Sequence, residues 1–331
     1  MKVRNIQLQN NLILAPMQNV TTAPYRRFCR KLNSIGLVSV PMIYTKRIEK
    51  QPSSILLDLY KIEEERPISI QLIGSDENSF KNSIDFLSSY NFDILDINAG
   101  CPSKRAIRAK EGGFLLKDLE KLKSILETAV KFSSTPISVK IRTGYNSVDN
   151  LLDIINIIED SGVELVSIHS RTIKDRYDSS KIDVKSLKFL KECVSIPVIG
   201  NGDINSPQKA KELLDYTKVD GLMIGRASMG NPQIFSQIEN FLNHEITDSS
   251  EHNLKKMQEY ILLYEDIIDE LDYSTYYSNQ LELEEFKFSE LKRNAIWLTR
   301  FIANSKIMRI KISKSKSLKD LKSILEEIFR N

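Results

Sequence analysis

The feature that most constrains the fold is a regular alternation of short apolar runs with amphipathic stretches over residues 1–225. The apolar runs are continuous rather than interleaved with polar residues, as expected of parallel strands buried on both faces. Eight runs are present: Leu12–Ala15, Leu37–Pro41, Ile68–Leu72, Ile94–Ile97, Ile137–Ile141, Leu165–His169, Val198–Gly200 and Leu222–Ile224. Strands that alternate with helices in this way predict an α/β fold, a (β/α)8 TIM barrel.

The stretches between the runs show helical spacing of apolar residues, as in Asn78–Ser88, Leu119–Phe132, Val148–Asp160 and Ser206–Leu214. A doubly wound sheet is the alternative, but it expects a glycine-rich turn after the first strand, and residues 13–21 contain no glycine. From about residue 250 the pattern is helical only, in Leu254–Leu271, Glu290–Ala303 and Ser317–Phe329. We therefore expect a barrel domain over residues 1–243 and a C-terminal helical bundle domain over residues 244–331.

Composition excludes several classes of protein. With 41% hydrophobic and 27% charged residues, the chain has enough apolar material for a large core. No window reaches the ~18 apolar residues of a membrane span, and the N-terminus lacks the apolar run of a signal peptide. The three cysteines and three histidines have no metal-binding spacing, so no metal centre is expected. We expect a cytoplasmic protein, and nothing indicates an obligate oligomer, so we expect a monomer.

Charge is unevenly distributed along the C-terminal part. Residues 245–285 carry two basic and twelve acidic residues, whereas residues 286–331 carry twelve basic and four acidic ones. The basic segment could present a positive face to a polyanion, with Arg293 and Arg300 two turns apart on one helix. The alternative is a pair of helices whose charges neutralise each other.

Function in a barrel of this kind lies at the carboxyl ends of the strands. The polar residues, glycines and other distinctive residues at those ends can be collected strand by strand. They are Pro16 and Met17; Gln71; Asn98 and Cys101; Lys140; His169 and Arg171; Asn201, Gly202 and Asp203; and Gly225 and Arg226. We expect these residues to share one rim.

Each candidate also has a plainer interpretation. Cys101 precedes a basic run that attracts anions, although such a run can simply be a solvated loop. Lys140, inside an apolar strand, needs a counter-charge or a ligand unless its amine reaches the solvent. His169 could be a hydrogen-bonded core histidine. The glycine turns after strands seven and eight lie where barrels commonly hold a phosphate, with Arg226 supplying charge, although they could be ordinary tight turns.

Motifs across roughly residues 10–240 resemble those of the tRNA-dihydrouridine synthases. They are LAPMQNVTTAPYRRFCR, QLIG, DINAGCPSKRAIRAKEGG, VKIRTGY, HSRT, PVIGNGDI and LMIGRASMGNP. The segment around Cys101, with its basic run and Gly112-Gly113, separates this family from other flavin barrels such as dihydroorotate dehydrogenases. The helical tail also resembles the family's RNA-binding domain, with Asn294 where the family usually has a histidine.

The resemblance implies an FMN enzyme that takes a hydride from NADPH or NADH and reduces a uracil in tRNA. It implies that Cys101 protonates C5, that Asn98 bonds the uracil edge and that the base leaves its stack. The implied cofactor residues are Pro16, Met17, Gln71, Lys140 and His169 for the flavin and Asn201, Gly202, Asp203, Gly225 and Arg226 for its phosphate. We expect Lys104, Arg105, Arg171, Lys292 and Arg293 to contact the RNA.

Two other functions share part of this pattern. An FMN barrel that reduces a free pyrimidine or an enone needs the flavin residues but neither the basic tail nor the loop after Cys101. A non-catalytic RNA-binding barrel would need no flavin, and its purified form would not be yellow. Cys29 and Cys193 lie on apolar helical faces and are expected in the core.

Overall fold

The computed structural model describes residues 1–244, 253–273, 276–277 and 279–330. Its large sheet is parallel, and its strands follow the order β3-β11-β10-β9-β8-β7-β6-β4. A bridge between Ile13 and Leu37 links β3 back to the segment before β4 and brings the barrel close to closure. The strands are β1 Lys2–Val3, β2 Ile6–Gln7, β3 Leu12–Leu14, β4 Val38–Ser39, β5 Ile43–Tyr44, β6 Ile68–Ile73, β7 Ile94–Ala99, β8 Ile137–Arg142, β9 Leu165–His169, β10 Val198–Asn201 and β11 Gly221–Ile224. The predicted TIM barrel is confirmed.

The strands differ from the predicted ones in two respects. The predicted strand Leu37–Pro41 is shortened to β4, and a separate short strand that was not predicted, β5, begins only after Pro41, which has no N–H to donate to the sheet. The fourth, fifth and seventh strands extend one or two residues further, so that Asn98, Arg142 and Asn201 lie on strands instead of in loops. Their backbones continue the parallel ladders while their side chains enter the mouth of the barrel.

Helices follow most strands and cover the outside of the barrel. They are α1 Ala23–Leu32, α2 Thr45–Lys50, α3 Leu56–Leu59, α4 Glu77–Leu87, α5 Lys104–Arg108, α6 Leu119–Phe132, α7 Leu151–Asp160, α8 Val184–Cys193, α9 Pro207–Thr217, α10 Ile234–His244, α11 Leu254–Glu270, α12 Gln280–Leu298, α13 Ser305–Lys314 and α14 Leu318–Arg330. Pro207 occupies the first turn of α9, where its missing N–H costs nothing, and Ser206 caps that helix. Within the described ranges, no helix combines the length and apolar content that a membrane crossing requires.

The barrel interior is apolar at one end and polar at the other. At the amino ends of the strands, side chains such as Ile94, Leu165 and Ile199 form a small cluster with Val3 and Leu8. The β1–β2 hairpin therefore closes this end of the barrel. Burial of such side chains stabilises by roughly 1.5–3 kcal/mol each. The polar side chains are consequently confined to the opposite, carboxyl end.

The C-terminal helices pack directly on the barrel. Phe28 of α1 meets the rings of Tyr260 and Tyr264 of α11 edge to face, with centroids 5.9 and 5.2 Å apart. One hydrophobic core runs through both regions. The predicted domain boundary falls at the end of α10, and its functional meaning stays a prediction. Part of the acidic segment, residues 245–252, 274–275 and 278, lies outside the described residues.

The basic segment folds differently from the prediction. The predicted helix Glu290–Ala303 is part of α12, which begins ten residues earlier and ends at Leu298, followed by a 3-10 turn over Thr299–Phe301. The prediction that Arg293 and Arg300 share one helix is therefore wrong, because Arg300 lies beyond the helix end. A further helix, α13, had no apolar stripe to reveal it, since Ile312 is its one fully buried residue.

The shared core generates a prediction about stability. Phe28→Ala should lower the free energy of unfolding by about 3–5 kcal/mol, because it leaves a cavity between α1 and α11. Phe189→Ala on the outer face of α8, where the ring is 41% exposed, should change it by less than about 0.5 kcal/mol. Denaturant unfolding followed by circular dichroism measures both. Unfolding of the barrel and the helices in two separate transitions would contradict a continuous core.

Candidate active site

The polar residues predicted at the strand ends do converge inside the mouth of the barrel. Gln71 of β6, Asp96 of β7 and Ser138 of β8 are register partners on neighbouring strands, and their side chains form a buried row. Gln71 Nε2 donates to Asp96 Oδ2 at 2.5 Å, and Ser138 Oγ donates to Asp96 Oδ1 at 2.6 Å. Asn98, two residues beyond Asp96, faces the same interior because side chains alternate along a strand.

Asn98 holds the loop that carries Cys101. Its Oδ1 accepts the backbone N–H groups of Cys101 and Gly100 at 2.9 and 3.1 Å, and its Nδ2 donates to Gln71 Oε1 at 2.8 Å. Gly112 packs against this loop with a φ of 59°, and a Cβ there would lie 3.0 Å from that of Cys101. A side chain at position 112 would therefore displace the cysteine. The Cys101 thiol is partly exposed at the mouth.

Lys140 lies beside Asn98 on the next strand. Its Nζ donates to Asn201 Oδ1 at 3.3 Å, and Asn201 Nδ2 donates in turn to the backbone carbonyl of Met223 at 2.7 Å. Burial and the nearby Arg142 lower the pKa of the Lys140 amine to about 8, although Asp96 acts in the opposite direction. The amine therefore lies at the mouth and does not extend along the outer surface.

His169 is not the hydrogen-bonded core histidine of the plainer interpretation. Its Nδ1 is buried and has no hydrogen-bond partner in the described part of the chain. Burial, followed by the positive charges of Lys140, Arg142, Arg171 and Arg226, lowers its pKa to about 2. The imidazole is thus neutral at physiological pH and cannot supply a proton as an imidazolium.

The turns after β10 and β11 form one cationic corner. Asp203 accepts hydrogen bonds from Arg171 Nη2 and, at 2.6 Å, from Arg226 Nη2. Arg171 is fully buried, and its Nη1 has no partner among the described residues. Gly202 adopts a φ of 138°, and a Cβ there would lie 2.1 Å from Ser170 Oγ. Gly225 has a more open surrounding, in which a Cβ would contact Met17 Sδ at 3.4 Å.

The loop after β3 forms the opposite edge of this corner. Pro16 and Met17 follow the buried strand and are partly exposed. Thr21 holds the loop, because its Oγ1 accepts from the Met17 N–H at 3.1 Å. Pro16 and Met17 follow β3, and Gly225 follows β11. Because β3 and β11 are neighbouring strands, the three residues lie at the same part of the rim.

Some of the residues predicted to contact RNA are exposed, whereas others already bond to groups of the protein itself. Lys104 and Arg105 are exposed on α5, with the Arg105 guanidinium 4.2 Å from the Tyr44 ring centroid. In contrast, Lys292 donates to the Ser315 carbonyl at 2.7 Å, and Arg293 pairs with Glu290.

Glu290 is buried and also accepts from Thr22 Oγ1 at 3.0 Å and Tyr264 Oη at 2.7 Å, so it joins α12 to α1 and α11. Asn294 is buried one turn further along α12. Arg293 therefore neutralises a buried carboxylate within the fold.

The structure corrects one cysteine prediction and adds residues that the sequence analysis missed. Cys29 is buried as expected, but Cys193 is exposed at the end of α8. Asp96 and Tyr177 were not singled out. Tyr177 lies between Arg142 and Arg226, with its ring centroid 5.4 and 4.7 Å from their guanidinium carbons. The two-residue spacing from Asp96 to Asn98 could have indicated a shared face, whereas no pattern marks Tyr177.

Within the described ranges, no group of three or more His, Cys, Asp or Glu side chains could hold a metal ion. The fold and the site together define a TIM-barrel protein with a thiol, an amine and a cationic corner at its mouth. Solved structures share the fold at low sequence identity. Histamine dehydrogenase from Rhizobium sp. 4-9 matches with a TM-score of 0.52 and 13% identity, covering 70% of this chain and 46% of that chain. Morphinone reductase matches with a TM-score of 0.54 and 9% identity, covering 72% and 89%.

The chain belongs to the dihydrouridine synthase family, whose model matches residues 13–326. It is 38% identical over 249 residues to the tRNA-dihydrouridine synthase B of Vibrio cholerae serotype O1, covering 75% of this chain and 76% of that protein. It is 36% identical over 244 residues to tRNA-dihydrouridine synthase B of Escherichia coli K12, covering 73% and 75%. The predicted family is confirmed.

The depressed pKa of Lys140 generates a prediction for the ligand-free protein. Trace labelling with an amine-reactive reagent should show the Lys140 amine becoming reactive with a midpoint near pH 8, because the neutral form is the nucleophile. Exposed lysines should follow the usual midpoint near ~10.4 in the same samples, which serves as the internal control. Mass spectrometry of the labelled peptides measures both. A Lys140 midpoint near that of the exposed lysines would mean that its amine is well solvated.

Proposed function

We propose that this protein reduces the C5–C6 double bond of a uridine in tRNA to 5,6-dihydrouridine, with FMN as cofactor and NADPH or NADH as electron donor. The observation that carries the proposal is the placement of Cys101, whose backbone N–H is held by Asn98 and which lies close enough to Lys140 to act on its pKa. Family membership supports the same reaction. We propose that the protein acts in the cytoplasm as a monomer.

The residues at the mouth fit a flavin nucleotide. His169 Nδ1 and Arg171 Nη1 are buried polar atoms with no hydrogen-bond partner among the described residues, which is costly unless a ligand pairs with them. Gly225 leaves the backbone open to close approach beside Arg226, as a bound phosphate requires, while the φ of 138° at Gly202 lets the neighbouring turn form against Ser170. We assign Pro16, Met17, Gln71, Lys140 and His169 to the flavin ring system. We assign Asn201, Gly202, Gly225 and Arg226 to the phosphate, with Asp203 orienting Arg226.

FMN, when bound, would supply the hydride that reaches C6 of the uracil. Cys101 then completes the addition: the S–H bond breaks, its proton forms the new C–H bond at C5, and the thiolate is reprotonated from solvent. Such acid catalysis is typically worth ~10²–10⁴-fold. His169 is neutral and is a poor acid, which leaves Lys140 as the other group at the mouth that could give a proton.

The basic surfaces favour a large polyanionic substrate over a free pyrimidine. Arg300 Nη1 lies 3.4 Å from the Arg226 carbonyl, so the C-terminal helices reach the rim beside β11. The Lys104–Lys110 segment follows β7, four strands away in either direction around the barrel. The two basic segments therefore lie on opposite sides of the mouth. A folded RNA that contacts both would lie across the opening, where one extruded base can enter.

Replacement of Arg226 tests the cofactor assignment. Arg226→Glu should release FMN, because it puts an anion beside the proposed phosphate position and beside Asp203. Lys211→Glu is the matched control, since Lys211 pairs with Asp215 along α9, away from the mouth. Flavin absorbance per protein after gel filtration measures the occupancy. Full flavin content in the Arg226 variant would show that the phosphate is bound elsewhere.

Replacement of Cys101 separates the two halves of the reaction. Cys101→Ala should leave flavin content and flavin reduction by NADPH near wild type, but lower single-turnover dihydrouridine formation by ~10²–10⁴-fold. Cys193→Ala, at the exposed cysteine of α8, should change neither half. A normal yield in the Cys101 variant would remove the thiol from the mechanism and leave Lys140 as the acid.

Exposed and engaged cations should affect RNA binding differently. Lys306 and Arg309 are exposed on α13 and form no ion pair among the described residues, so replacing each by alanine should remove roughly one unit from the slope of log K against log salt. Arg293→Ala should instead lower stability by about 3–5 kcal/mol, since it leaves Glu290 buried and unpaired. Filter binding of unmodified tRNA and denaturant unfolding measure the two effects. Unchanged salt slopes for the α13 variants would show that the exposed face of α13 does not contact RNA phosphates.

A further inference from the structure

Asp96 lies one layer beneath the residues that face the substrate. It occupies the middle of β7, is 5% exposed, and its two carboxylate oxygens accept from Gln71 Nε2 and Ser138 Oγ. Burial raises the pKa of the carboxyl, whereas the hydrogen bonds from Ser138 and Gln71 and the charge of Lys140 lower it. Burying a carboxylate is costly unless its partners are well placed, so this side chain needs a reason to be there.

The hydrogen bonds that lead away from Asp96 have a fixed direction. A carboxylate only accepts, so Gln71 must turn its NH₂ group toward Asp96 and its oxygen toward Asn98. Asn98 must then turn its own NH₂ toward Gln71, which leaves its oxygen for the N–H groups of Gly100 and Cys101. The backbone N–H groups at the far end require an oxygen as well. Both ends of the chain therefore select the same orientation for both amides.

We propose that Asp96 is a positioning residue that fixes the amide orientations of Gln71 and Asn98 and thereby holds Cys101 in place. The inference rests on the proposed function for its effect on the substrate. It does not rest on the proposed function for its effect on the Cys101 loop, which is a property of the protein alone.

The fixed orientation also decides what Asn98 can offer a ligand. Both of the bonds to Asn98 Oδ1 come from backbone N–H groups, and one N–H of Nδ2 is used by Gln71. The remaining N–H lies 3.7 Å from the Met42 sulfur, a weak acceptor that a ligand can displace. Asn98 therefore presents a hydrogen-bond donor, which matches the carbonyl oxygens of uracil.

The role requires a hydrogen-bond acceptor at position 96 rather than a charge. In Asp96→Asn, the new side-chain oxygen can accept from Gln71 while the new NH₂ group donates to Ser138, whose hydroxyl can also accept. In Asp96→Ala, Gln71 Nε2 loses its acceptor, and only the Gly100 and Cys101 N–H groups at the far end still act on the orientation of the two amides. Ser138→Ala is the matched control, because it removes the other hydrogen bond to the same carboxylate and leaves the bond from Gln71 intact.

Amide exchange reads the Cys101 hydrogen bond directly in the holoenzyme. Labelling with ¹⁵N-cysteine gives one backbone signal for each of Cys29, Cys101 and Cys193, the three cysteines of the chain. In Asp96→Ala, the Cys101 amide should exchange at least ~10-fold faster than in wild type, because its acceptor is no longer held in place. In Asp96→Asn and Ser138→Ala it should stay within about 3-fold of wild type. Cys29, inside α1, is the internal reference.

The two half-reactions supply the second readout. Asp96→Ala should keep NADPH-dependent flavin reduction within about 3-fold of wild type, but lower single-turnover dihydrouridine formation by ~10²-fold, as expected for a misplaced proton donor. Asp96→Asn should restore most of that loss. Unchanged Cys101 exchange in Asp96→Ala, or an Asp96→Asn variant as impaired as the alanine variant, would overturn the proposal. The second result would assign Asp96 a role through its charge.

Two further outcomes are distinguishable. If Asp96→Ala does not fold, Gln71→Met breaks the same chain of hydrogen bonds at its next link, and its Cys101 amide should show the same faster exchange; unchanged exchange would overturn the proposal. If wild-type protein forms no dihydrouridine but the exchange pattern holds, the proposed function fails while the positioning role of Asp96 stands. If dihydrouridine forms normally in every variant, the proposed function stands and the positioning role of Asp96 fails.

Discussion

Closure of a parallel barrel places the carboxyl ends of its strands around one opening, and every other residue of each strand points inside. Polar side chains there have little water, so each must pair with another or with a ligand. The row Gln71–Asp96–Ser138 satisfies this requirement with protein partners, and Lys140 partly satisfies it through Asn201. His169 does not, since its Nδ1 is buried and unpaired among the described residues. The polar groups that pair with each other therefore form a supporting layer. The groups without such partners are the ones that we propose to meet a ligand.

Much of this arrangement could be predicted from the sequence, because strand order and side-chain alternation follow from local patterns. The strands, the mouth and the residues from Gln71 to Arg226 follow from apolar runs and the residues that end them. The interruption between β4 and β5 depends on Pro41, and β5 lies beyond the apolar run that predicted the second strand. The roles of Asp96 and Tyr177 depend on contacts with other strands and loops, which no local pattern records. The same is true of Cys193, whose helix turns it outward.

Charge patterning was the least reliable guide, because it counts charges without their partners. Lys292, Arg293 and Lys311 all belong to the basic segment, yet they bond to the Ser315 carbonyl, Glu290 and Glu327. The neutralising interpretation of the tail is partly right, because Lys287 and Lys322 pair with Asp269 and Glu265 of the acidic segment. The interpretation as a face for a polyanion stays a prediction, although other cations remain exposed on α13. The buried Glu290 explains part of this, since a carboxylate enclosed between α1, α11 and α12 needs a cation close by.

The mouth itself carries more positive than negative charge. Lys140, Arg142, Arg171 and Arg226 all act on His169, and Asp203 pairs with two of them. Burial first, and then repulsion between the cations gathered in this partly buried space, lower the pKa values of Lys140 and Arg142 to about 8 and about 10. An anion bound there would relieve that repulsion, so ligand binding and stability should be coupled. Coulomb attraction alone would not distinguish a cofactor phosphate from an RNA phosphate. We propose that the distinction comes from shape, because the backbone is open to close approach at Gly225, whereas the exposed cations of α5 and α13 would meet phosphates only at the surface.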